Sequence, residues 1–310
     1  MRVPAARPFL KWAGGKTQLL DALAARTPPE LGAGALPVYI EPFVGGGAAF
    51  FYFASIFPFH ESHIFDCNEE LILAYTVVRD DVDTLIRHLA ELSAAHLAKP
   101  DAGRTSSYYE LRDHFNQTRP DLDFSRFSPA WTRRAAELIF LNRTCFNGLF
   151  RVNRAGEFNV PFGKYKKPAL PSPELLKADA RILQNTVIHL GDFTAAEPYV
   201  SDQSFVYLDP PYRPISTTSR FTSYAKDQFD DDDQRRLARF FARCDATGAK
   251  LMLSNSDPRN HDPADDFFDA LYTGYRVDRV PAKRMINADG TRRGAIKEII
   301  VTNYEPAKRP

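Results

Sequence analysis

Short apolar runs, each ending at a polar or turn residue, constrain the fold of this chain more than any other feature. They lie at 38–41, 63–66, 187–190, 205–208, 250–254 and 298–304. Each run is too short for a helix and rich in β-branched or aromatic residues, so we interpret them as buried strands. Helix-length stretches, such as 233–246, separate several of them. The alternation predicts βαβ units and an α/β fold with a mostly parallel sheet.

One long interval, from about residue 71 to residue 168, lacks any convincing strand. Helical periodicity covers 76–97, 107–117 and 129–143, and Pro129 suits the first turn of a helix. An interval of this size between two strands is typical of an inserted domain. We therefore predict a helical domain at 71–170 within an α/β domain formed by 1–70 and 171–310.

The charge of the chain is balanced in total but not in distribution. Forty basic residues face 39 acidic ones, which argues against a protein that coats nucleic acid by charge alone. In 131–170, however, only Glu137 and Glu157 oppose eight basic residues: Arg133, Arg134, Arg143, Arg151, Arg154, Lys164, Lys166 and Lys167. A second basic stretch covers 283–297.

The same interval, 131–170, also supplies aromatic and amide side chains. The aromatic residues are Phe146, Phe150, Phe158, Phe162 and Tyr165, and the amides are Asn142, Asn147, Asn153 and Asn159. Cations for phosphates, amides for base edges and aromatic faces for unstacked bases are what a DNA-reading surface requires. A solvated surface is the alternative interpretation of each charge cluster taken singly.

Several classes of protein are disfavoured by what the sequence lacks. Cys67, Cys145 and Cys244 are widely spaced, which predicts buried thiols rather than a zinc site or a disulfide framework. The first ten residues contain no apolar signal segment. The most apolar run, 48–57, is about half the length that a membrane span needs. We expect a cytoplasmic protein with no metal and no membrane partner.

A glycine turn follows the first predicted strand. Gly45, Gly46 and Gly47 permit a sharp turn and close approach of a ligand, but Phe50 stands where a dinucleotide fingerprint needs its third glycine. Asp66 closes the second strand, where a carboxylate can bind ribose hydroxyls. The combination favours a nucleoside cofactor without pyrophosphate, such as S-adenosylmethionine (SAM), although a glycine turn alone is also common as a purely structural element.

The segment around Gly15, Lys16 and Thr17 superficially resembles a P-loop. Leu10 occupies the position of the required upstream glycine and no strand precedes the segment, so we reject nucleoside triphosphate hydrolysis. Trp12 lies between Lys11 and Lys16, and an aromatic plane between two cations suits an adenosine-like ligand and its carboxylate. A buried tryptophan flanked by surface lysines is the alternative.

The turn after the strand 205–208 carries the strongest chemical signal. Asp209, Pro210, Pro211 and Tyr212 follow it directly, and two prolines offer no N–H donor. The Asp209 carboxylate and the Pro210 carbonyl can accept the two N–H bonds of an exocyclic amine such as adenine N6. They would localise its lone pair and stabilise the positive charge that develops as it attacks a sulfonium methyl. Tyr212 offers a face for a base that has left the duplex.

These motifs together resemble a known family. FLKWAGGKTQLL, EPFVGGG, LNRTCFNGLFRVNRAGEFNVPFGKYKKP, GDF, DPPY and IKEIIVTNYE occur in this order. The chain is thereby similar to the D12-class (α-group) DNA adenine N6-methyltransferases of the Dam and DpnM type. The resemblance implies a class I SAM-dependent methyltransferase fold, Rossmann-like with a mostly parallel seven-stranded sheet. It also implies that 71–170 is the target-recognition domain, that 1–70 carries the cofactor part and 171–310 the catalytic part.

The resemblance further implies roles for particular residues. Asp209, Pro210, Pro211 and Tyr212 form the catalytic motif. The implied cofactor contacts are Trp12, Lys16, Glu41, Gly45, Gly47, Asp66, Asp192, Phe193 and Asp209. The residues that match those used by GATC-reading relatives are Lys11, Phe146, Asn147, Leu149, Arg151, Pro161 and Tyr165.

By the same resemblance, Arg151 would contact guanine, Leu149 and Pro161 a thymine methyl, and Phe146 would enter the stack where the base has left. Relatives often have Tyr at the position of Phe146, so a hydroxyl is lost there. The implied partner is double-stranded DNA, with GATC as the expected target. A restriction-modification role beside a cognate endonuclease, without a stable complex, is compatible with the family, and so is the marking of DNA for replication or repair.

From the residues alone, two alternatives remain. An N4-cytosine, RNA or protein amino-methyltransferase would need the same pocket. A DNA-binding module with a degenerate cofactor site would bind no SAM. The glycine turn, Asp66 and the catalytic motif count against the second alternative.

Overall fold

The computed structural model describes residues 5–213, 229–282 and 296–306. Its strands form one seven-stranded sheet of order β3-β2-β1-β4-β5-β7-β6. The strands are β1 (Val38–Glu41), β2 (Glu61–Asp66), β3 (Thr186–Leu190), β4 (Ser204–Leu208), β5 (Lys250–Ser256), β6 (Arg276–Ala282) and β7 (Ile296–Thr302).

Parallel pairing dominates the centre of the sheet. β1 pairs in parallel with β2 and with β4, and β4 pairs in parallel with β5, whereas β7 runs antiparallel to both β5 and β6. Parallel strands end at the same edge of a sheet, so the residues that follow β1 and β4 are brought side by side. This arrangement confirms the predicted α/β class and the mostly parallel sheet.

The helices occupy the intervals between the strands. They are α1 (Leu20–Ala24), α2 (Pro29–Gly32), α3 (Ala48–Ile56), α4 (Glu69–Asp80), α5 (Val82–Leu97), α6 (Asp101–Gln117), α7 (Pro129–Thr144), α8 (Pro173–Leu183), α9 (Asp231–Asp245) and α10 (Phe267–Leu271). Asn68 caps α4 by accepting the N–H groups of Glu70 and Leu71. Asp230 and Asp233 form a capping box at α9, so the acidic run there stabilises a helix start.

The chain divides into two compact units. The first comprises Met1–Gly15, Gly45–Ser55 and Asp66–Leu190, and the second comprises Lys16–Val44, Ile56–Phe65 and Gly191–Pro310. In the first unit, Tyr108 is fully buried and donates its hydroxyl to the carbonyl of Val160 at 2.7 Å. In the second unit, buried residues of β1, β4, β5 and β7, such as Ile40, Val206, Leu251 and Ile299, pack together with Phe240 of α9.

The interval 71–168 contains helices α4 to α7 and, within the described residues, no strand. Two isolated bridges, Cys145 with Phe162 and Val152 with Phe158, fold the segment after α7 back on itself. The single helix expected at 76–97 is instead two helices, because the chain leaves helical geometry at Asp81 (φ −145°, ψ 44°).

Two further expectations need correction, and a third is not tested. The run 187–190 is not a buried strand, because β3 is an edge of the sheet and Val187 and Leu190 are exposed. Cys67 is exposed, although Cys145 and Cys244 are buried thiols as predicted. The basic stretch 283–297 lies outside the described residues except for its last two positions.

Candidate active site and recognition surface

The Asp209 turn begins where the fully buried strand β4 ends. The Lys16 ammonium lies 2.6 Å from the Asp209 carboxylate, and only 4% of the Lys16 side chain and 17% of the Asp209 side chain are exposed. Ser254 of β5 donates its hydroxyl to the same carboxylate at 3.3 Å. The Tyr207 hydroxyl lies 2.8 Å from the Ser254 hydroxyl. Asp209 is therefore fixed by one cation and one neutral donor.

The electrostatics of this pair follow from burial and proximity. Burial alone would lower the pKa of Lys16, but the Asp209 carboxylate, helped by Tyr212 and Glu298, raises it above its usual value. Burial raises the pKa of the Asp209 carboxyl, while Lys16 and Ser254 oppose that rise. A charge-assisted hydrogen bond this short stabilises the ionised pair. Asp209 is thereby held as an acceptor, the form that binding an amine requires.

Tyr212 is the exposed member of the motif, with 39% of its surface accessible. The Lys16 ammonium lies 4.5 Å from the centre of its ring. Glu298 of β7 is buried, and this burial raises the pKa of its carboxyl above the usual value. Lys16 and a hydrogen bond with Tyr212 reduce that rise without cancelling it. Tyr212 therefore has one side held by charged groups and leaves aromatic surface available for a planar ligand.

Glu41 lies at the end of β1 and is 2% exposed. The Tyr39 hydroxyl donates to its carboxylate at 2.6 Å. Burial and the neighbouring Glu41 raise the pKa of Tyr39 well above its usual value, so Tyr39 remains a donor.

The glycine turn and Asp66 are bonded directly to each other. The carboxylate of Asp66 accepts the N–H of Gly45 at 3.0 Å and the N–H of Asn68 at 2.9 Å. On the other side of the turn, the Tyr75 hydroxyl donates to the Gly45 carbonyl at 3.0 Å. Burial raises the pKa of Asp66, and these backbone donors oppose the rise. An ionised carboxylate has about four acceptor sites, so Asp66 can accept a hydroxyl in addition to these backbone donors.

Positive φ angles at Gly45 (47°) and Gly47 (76°) explain the glycines. A side chain at Gly46 would meet the Cβ of Trp12 at 2.9 Å, and one at Gly47 would meet the Tyr75 hydroxyl. Trp12 therefore packs on the turn. Its other contact is a stacked pair with Phe150, with ring centres 5.0 Å apart and planes 21° apart.

Asp192 and Phe193 follow β3, and the structure pairs both with other protein groups. Asp192 binds Arg236 through two contacts of 2.9 and 3.0 Å. Burial alone would raise the pKa of Asp192, but Arg236 and Thr194 lower it below its usual value. Phe193 is 1% exposed and packs against Phe43 with ring centres 5.3 Å apart.

The residues predicted to read DNA form a common surface in the first unit. Phe146 is 53% exposed, and its N–H donates to the Pro161 carbonyl at 2.8 Å. The N–H of Asn147 donates to the Tyr165 hydroxyl at 3.1 Å. The Lys11 ammonium lies 5.7 Å from the centre of the Tyr165 ring. The structure thus brings residue 11 together with the segment 146–165, far away in sequence.

Arg151 is also exposed at this surface, and Leu149 is half-buried. The Arg151 guanidinium donates to the Asn159 side-chain oxygen at 2.7 Å. Six basic side chains of the interval are exposed: Arg133, Arg151, Arg154, Lys164, Lys166 and Lys167.

Four residues that the composition of 131–170 suggested for DNA contact are internal. Arg134 is 3% exposed and binds Glu70 through contacts of 2.5 and 3.0 Å. Phe158 and Phe162 are buried at 2% and 8% exposure. Asn142 is fully buried and bonded to backbone groups. Their roles are structural because burial removes them from any base or phosphate.

Sequence reasoning missed several residues that fix the site. Tyr75, Ser254 and Arg236 each bind a predicted site residue, yet each lies inside an apolar or helical run without a motif of its own. Glu298 lies within the motif IKEIIVTNYE, but the sequence analysis gave it no role. Among the described residues, no group of three or more His, Cys, Asp or Glu side chains is placed to hold a metal ion. No helix in the described ranges combines the length and apolarity needed to cross a membrane.

The seven-stranded sheet, with a glycine turn after β1, an acid at the end of β2 and an Asp-Pro-Pro-Tyr turn after β4, is typical of an α/β methyltransferase. Comparison with known proteins is more specific. The model of the D12 class N6 adenine-specific DNA methyltransferases matches residues 12–286. The chain belongs to this family, and it is a DNA adenine N6-methyltransferase.

Three relatives illustrate the similarity. The chain is 48% identical over 299 residues to "Type II methyltransferase M.MjaIII" of Methanocaldococcus jannaschii, covering 96% of this chain and 99% of the relative. It is 38% identical over 301 residues to "Type II methyltransferase M1.LlaDCHI" of Lactococcus lactis subsp. cremoris, covering 96% and 95%. It is 32% identical over 300 residues to "DNA adenine methylase" of Escherichia coli (strain K12), covering 97% and 96%.

Proposed function

We propose that the enzyme transfers the methyl group of SAM to adenine N6 within GATC in double-stranded DNA. The observation that carries the chemistry is the Asp209 carboxylate, which is held as an acceptor by Lys16 at 2.6 Å and is followed by two prolines that add no donor. The Asp209 carboxylate and the Pro210 carbonyl each accept a hydrogen bond from one N–H group of N6. The amine lone pair would then attack the sulfonium methyl in line. The N–C bond would form as the methyl–sulfur bond breaks, the electron pair would go to sulfur, and N6 would lose one proton.

The residues present fit SAM as the methyl donor. Asp66 retains lone pairs for ribose hydroxyls, Gly45 and Gly47 leave the turn without side chains, and Trp12 offers an aromatic face. Glu41 and Lys16 supply opposite charges for the amino acid part of the ligand. SAM supplies an electrophilic methyl sulfonium, and no metal or covalent enzyme intermediate is needed. Asp192 and Phe193 complete the proposed set at the adenine ring, with Asp192 shared with Arg236.

Sequence choice is assigned to the exposed surface around Lys11 and 146–165. Arg151 binds guanine, Leu149 and Pro161 contact a thymine methyl, and Phe146 fills the space left by the extruded adenine. Asn147, Tyr165 and Lys11 complete the readout. We assign this recognition role to the helical interval 71–170, and the cofactor and catalytic roles to 1–70 and 171–310.

A plasmid protection assay tests this proposal. Plasmid is incubated with enzyme and SAM and then digested separately with two nucleases, one blocked by methylated GATC and one that requires it. We expect resistance to the first and cleavage by the second. Enzyme with Asp209→Ala serves as the matched control and should protect no plasmid. Near-normal protection by this variant would contradict the mechanism.

Arg151→Ala tests the assignment of sequence choice. Loss of a bidentate guanine contact should reduce discrimination by about 1–3 kcal/mol at one base pair. An unchanged site preference would remove Arg151 from this role.

The cellular setting is proposed from the relatives, two of which carry the name Type II methyltransferase. We propose that the enzyme acts in the cytoplasm and protects DNA from a cognate endonuclease with which it forms no stable complex. Expression of the chain should make host DNA resistant to an endonuclease that cuts the unmethylated target. Continued sensitivity of that DNA would contradict the protective role.

A further inference from the structure

We propose that Asn142 is a positioning residue for sequence readout, which holds Lys11 and the turn 146–149 in one fixed arrangement. The inference rests on the proposed function, because it concerns how the proposed DNA-reading residues are placed. Asn142 itself contacts no base. Its side chain is completely buried, and the contacts described next occupy both hydrogens of its amide group.

The amide of Asn142 spans two segments that are distant in sequence. Its oxygen accepts the N–H of Lys11 at 2.8 Å, and its nitrogen donates to the Lys11 carbonyl at 2.9 Å. The same nitrogen donates to the Gly148 carbonyl at 3.1 Å. Lys11 is thus bound on both sides of its backbone, as a neighbouring strand would bind it. The third bond connects the same amide to the turn that carries Phe146 and Leu149.

Gly148 makes this contact close. Its φ is +66°, and a Cβ placed on it would overlap the Cδ of Lys11 and lie tightly against its Cβ and Cγ. The aliphatic part of Lys11 therefore lies directly on the glycine backbone. Its ammonium reaches the Tyr165 ring, whose hydroxyl accepts the N–H of Asn147 at 3.1 Å.

These contacts connect three residues of the proposed readout, Lys11, Asn147 and Tyr165, through one buried amide and one glycine. Hydrogen bonds of specific readout require donors and acceptors to be placed within a few tenths of an ångström of their partners. Truncation of Asn142 would leave two carbonyls and one N–H without their buried partner. Lys11 would then be free to move relative to the turn, so the variant loses discrimination at the base pair that Lys11 reads.

Two matched pairs of variants test the proposal. Asn142→Ala is compared with Asn116→Ala, because Asn116 likewise spans one backbone residue, accepting the N–H of Phe158 at 2.8 Å and donating to its carbonyl at 3.0 Å. Gly148→Ala is compared with Gly156→Ala. Gly156 has a similar φ of +81°, but a Cβ there meets no atom within 4 Å. The second pair gives a result even if Asn142→Ala does not fold.

The measurement is kcat/KM for methyl transfer to duplexes that carry the preferred site or one substituted base pair at each position. Lys11→Ala identifies the base pair that Lys11 reads. We expect Asn142→Ala and Gly148→Ala to lose about tenfold or more in discrimination at that same base pair. The Asn116 and Gly156 variants should keep the unaltered ratio there, and SAM affinity measured by calorimetry should be the same in all.

Wild-type discrimination at every position in both Asn142→Ala and Gly148→Ala would overturn the positioning role. A general fall in kcat with unchanged discrimination would also overturn it, because a structural role alone explains that result. Failure of the unaltered chain to methylate any duplex would instead contradict the proposed function. The two failures are therefore distinguishable in one set of assays.

Discussion

Replacement of Lys16 by methionine removes the cation beside Asp209 and leaves an apolar side chain of similar length. The two charged atoms lie 2.6 Å apart with both side chains largely buried. An opposite charge this close lowers the pKa of a carboxyl group by about 1–3 units. Burial, which raises the pKa of Asp209, remains in the variant. We therefore expect the pKa of Asp209 to rise by about 1–3 units in Lys16→Met.

The sign of the effect on rate follows from the form of Asp209 that works. The ionised carboxylate is the stronger acceptor of the N6 N–H group and stabilises the positive charge that develops on N6, so transfer falls as the pH drops through the pKa of Asp209. A higher pKa moves this acidic limb to higher pH. The assay is single-turnover methyl transfer at saturating SAM between about pH 5 and pH 9.

Lys16→Arg is the matched control, because it keeps the positive charge although its planar head has a different shape. Its rate is expected to fall, but its acidic limb should stay near that of the unaltered enzyme. If Lys16→Met showed the acidic limb of the unaltered enzyme, the argument that Lys16 maintains the ionised state of Asp209 would be refuted.

Three further outcomes are expected. Arg134→Met removes the closer of the two cations beside the buried Glu70 and leaves only Arg119, at 3.6 Å. It should lower the free energy of unfolding by up to about 3–5 kcal/mol in denaturant titrations, whereas adding Glu70→Leu should recover part of the loss. His96 is 2% exposed and neither ring nitrogen has a partner among the described residues, and burial lowers its pKa. Because the unfolded chain then binds protons more readily than the folded chain, the free energy of unfolding should fall as the pH drops below about 6.5. His96→Phe should weaken this pH dependence in thermal melts. DNA affinity should fall steeply as the salt concentration rises, despite the net charge of +1, because the exposed cations at 131–170 displace counterions from the DNA phosphates. An affinity that does not change with salt would contradict this argument.

The strands were the most predictable part of the fold. Five of the six predicted runs are buried strands, because β-branched and aromatic residues are concentrated where both faces of a sheet are covered. The run 187–190 has the same composition but lies at an edge, and edge position depends on strand order, which composition does not encode. β6 was missed because Arg276, Asp278, Arg279 and Pro281 interrupt its apolar pattern; an edge strand tolerates such residues.

The site was predictable where function depends on local geometry. The glycines and the Asp209 turn each follow a strand and Asp66 ends one, and the direct bond from Gly45 to Asp66 explains why the glycine turn and this acid occur together. Residues whose role depends on long-range partners were not predictable. Arg134 and Asn142 looked like DNA contacts because the sequence shows their type and not their burial, and Glu70 and Lys11, their partners, lie 64 and 131 positions away.

The glycine turn has a consequence for how cofactor binding and stability are coupled. Asp66 accepts the N–H of Gly45 and Tyr75 donates to the carbonyl of Gly45, so both backbone polar groups of Gly45 are bonded within the protein. The backbone entropy of the turn is therefore lost when the chain folds and not when the cofactor arrives. If the hydrogen bond from Tyr75 to Gly45 were lost, the turn would be less ordered in the folded chain, and part of its entropy would be lost only when the cofactor binds. A small change in local stability would then be observed as a weaker affinity for SAM, even though Tyr75 is not among its proposed ligands.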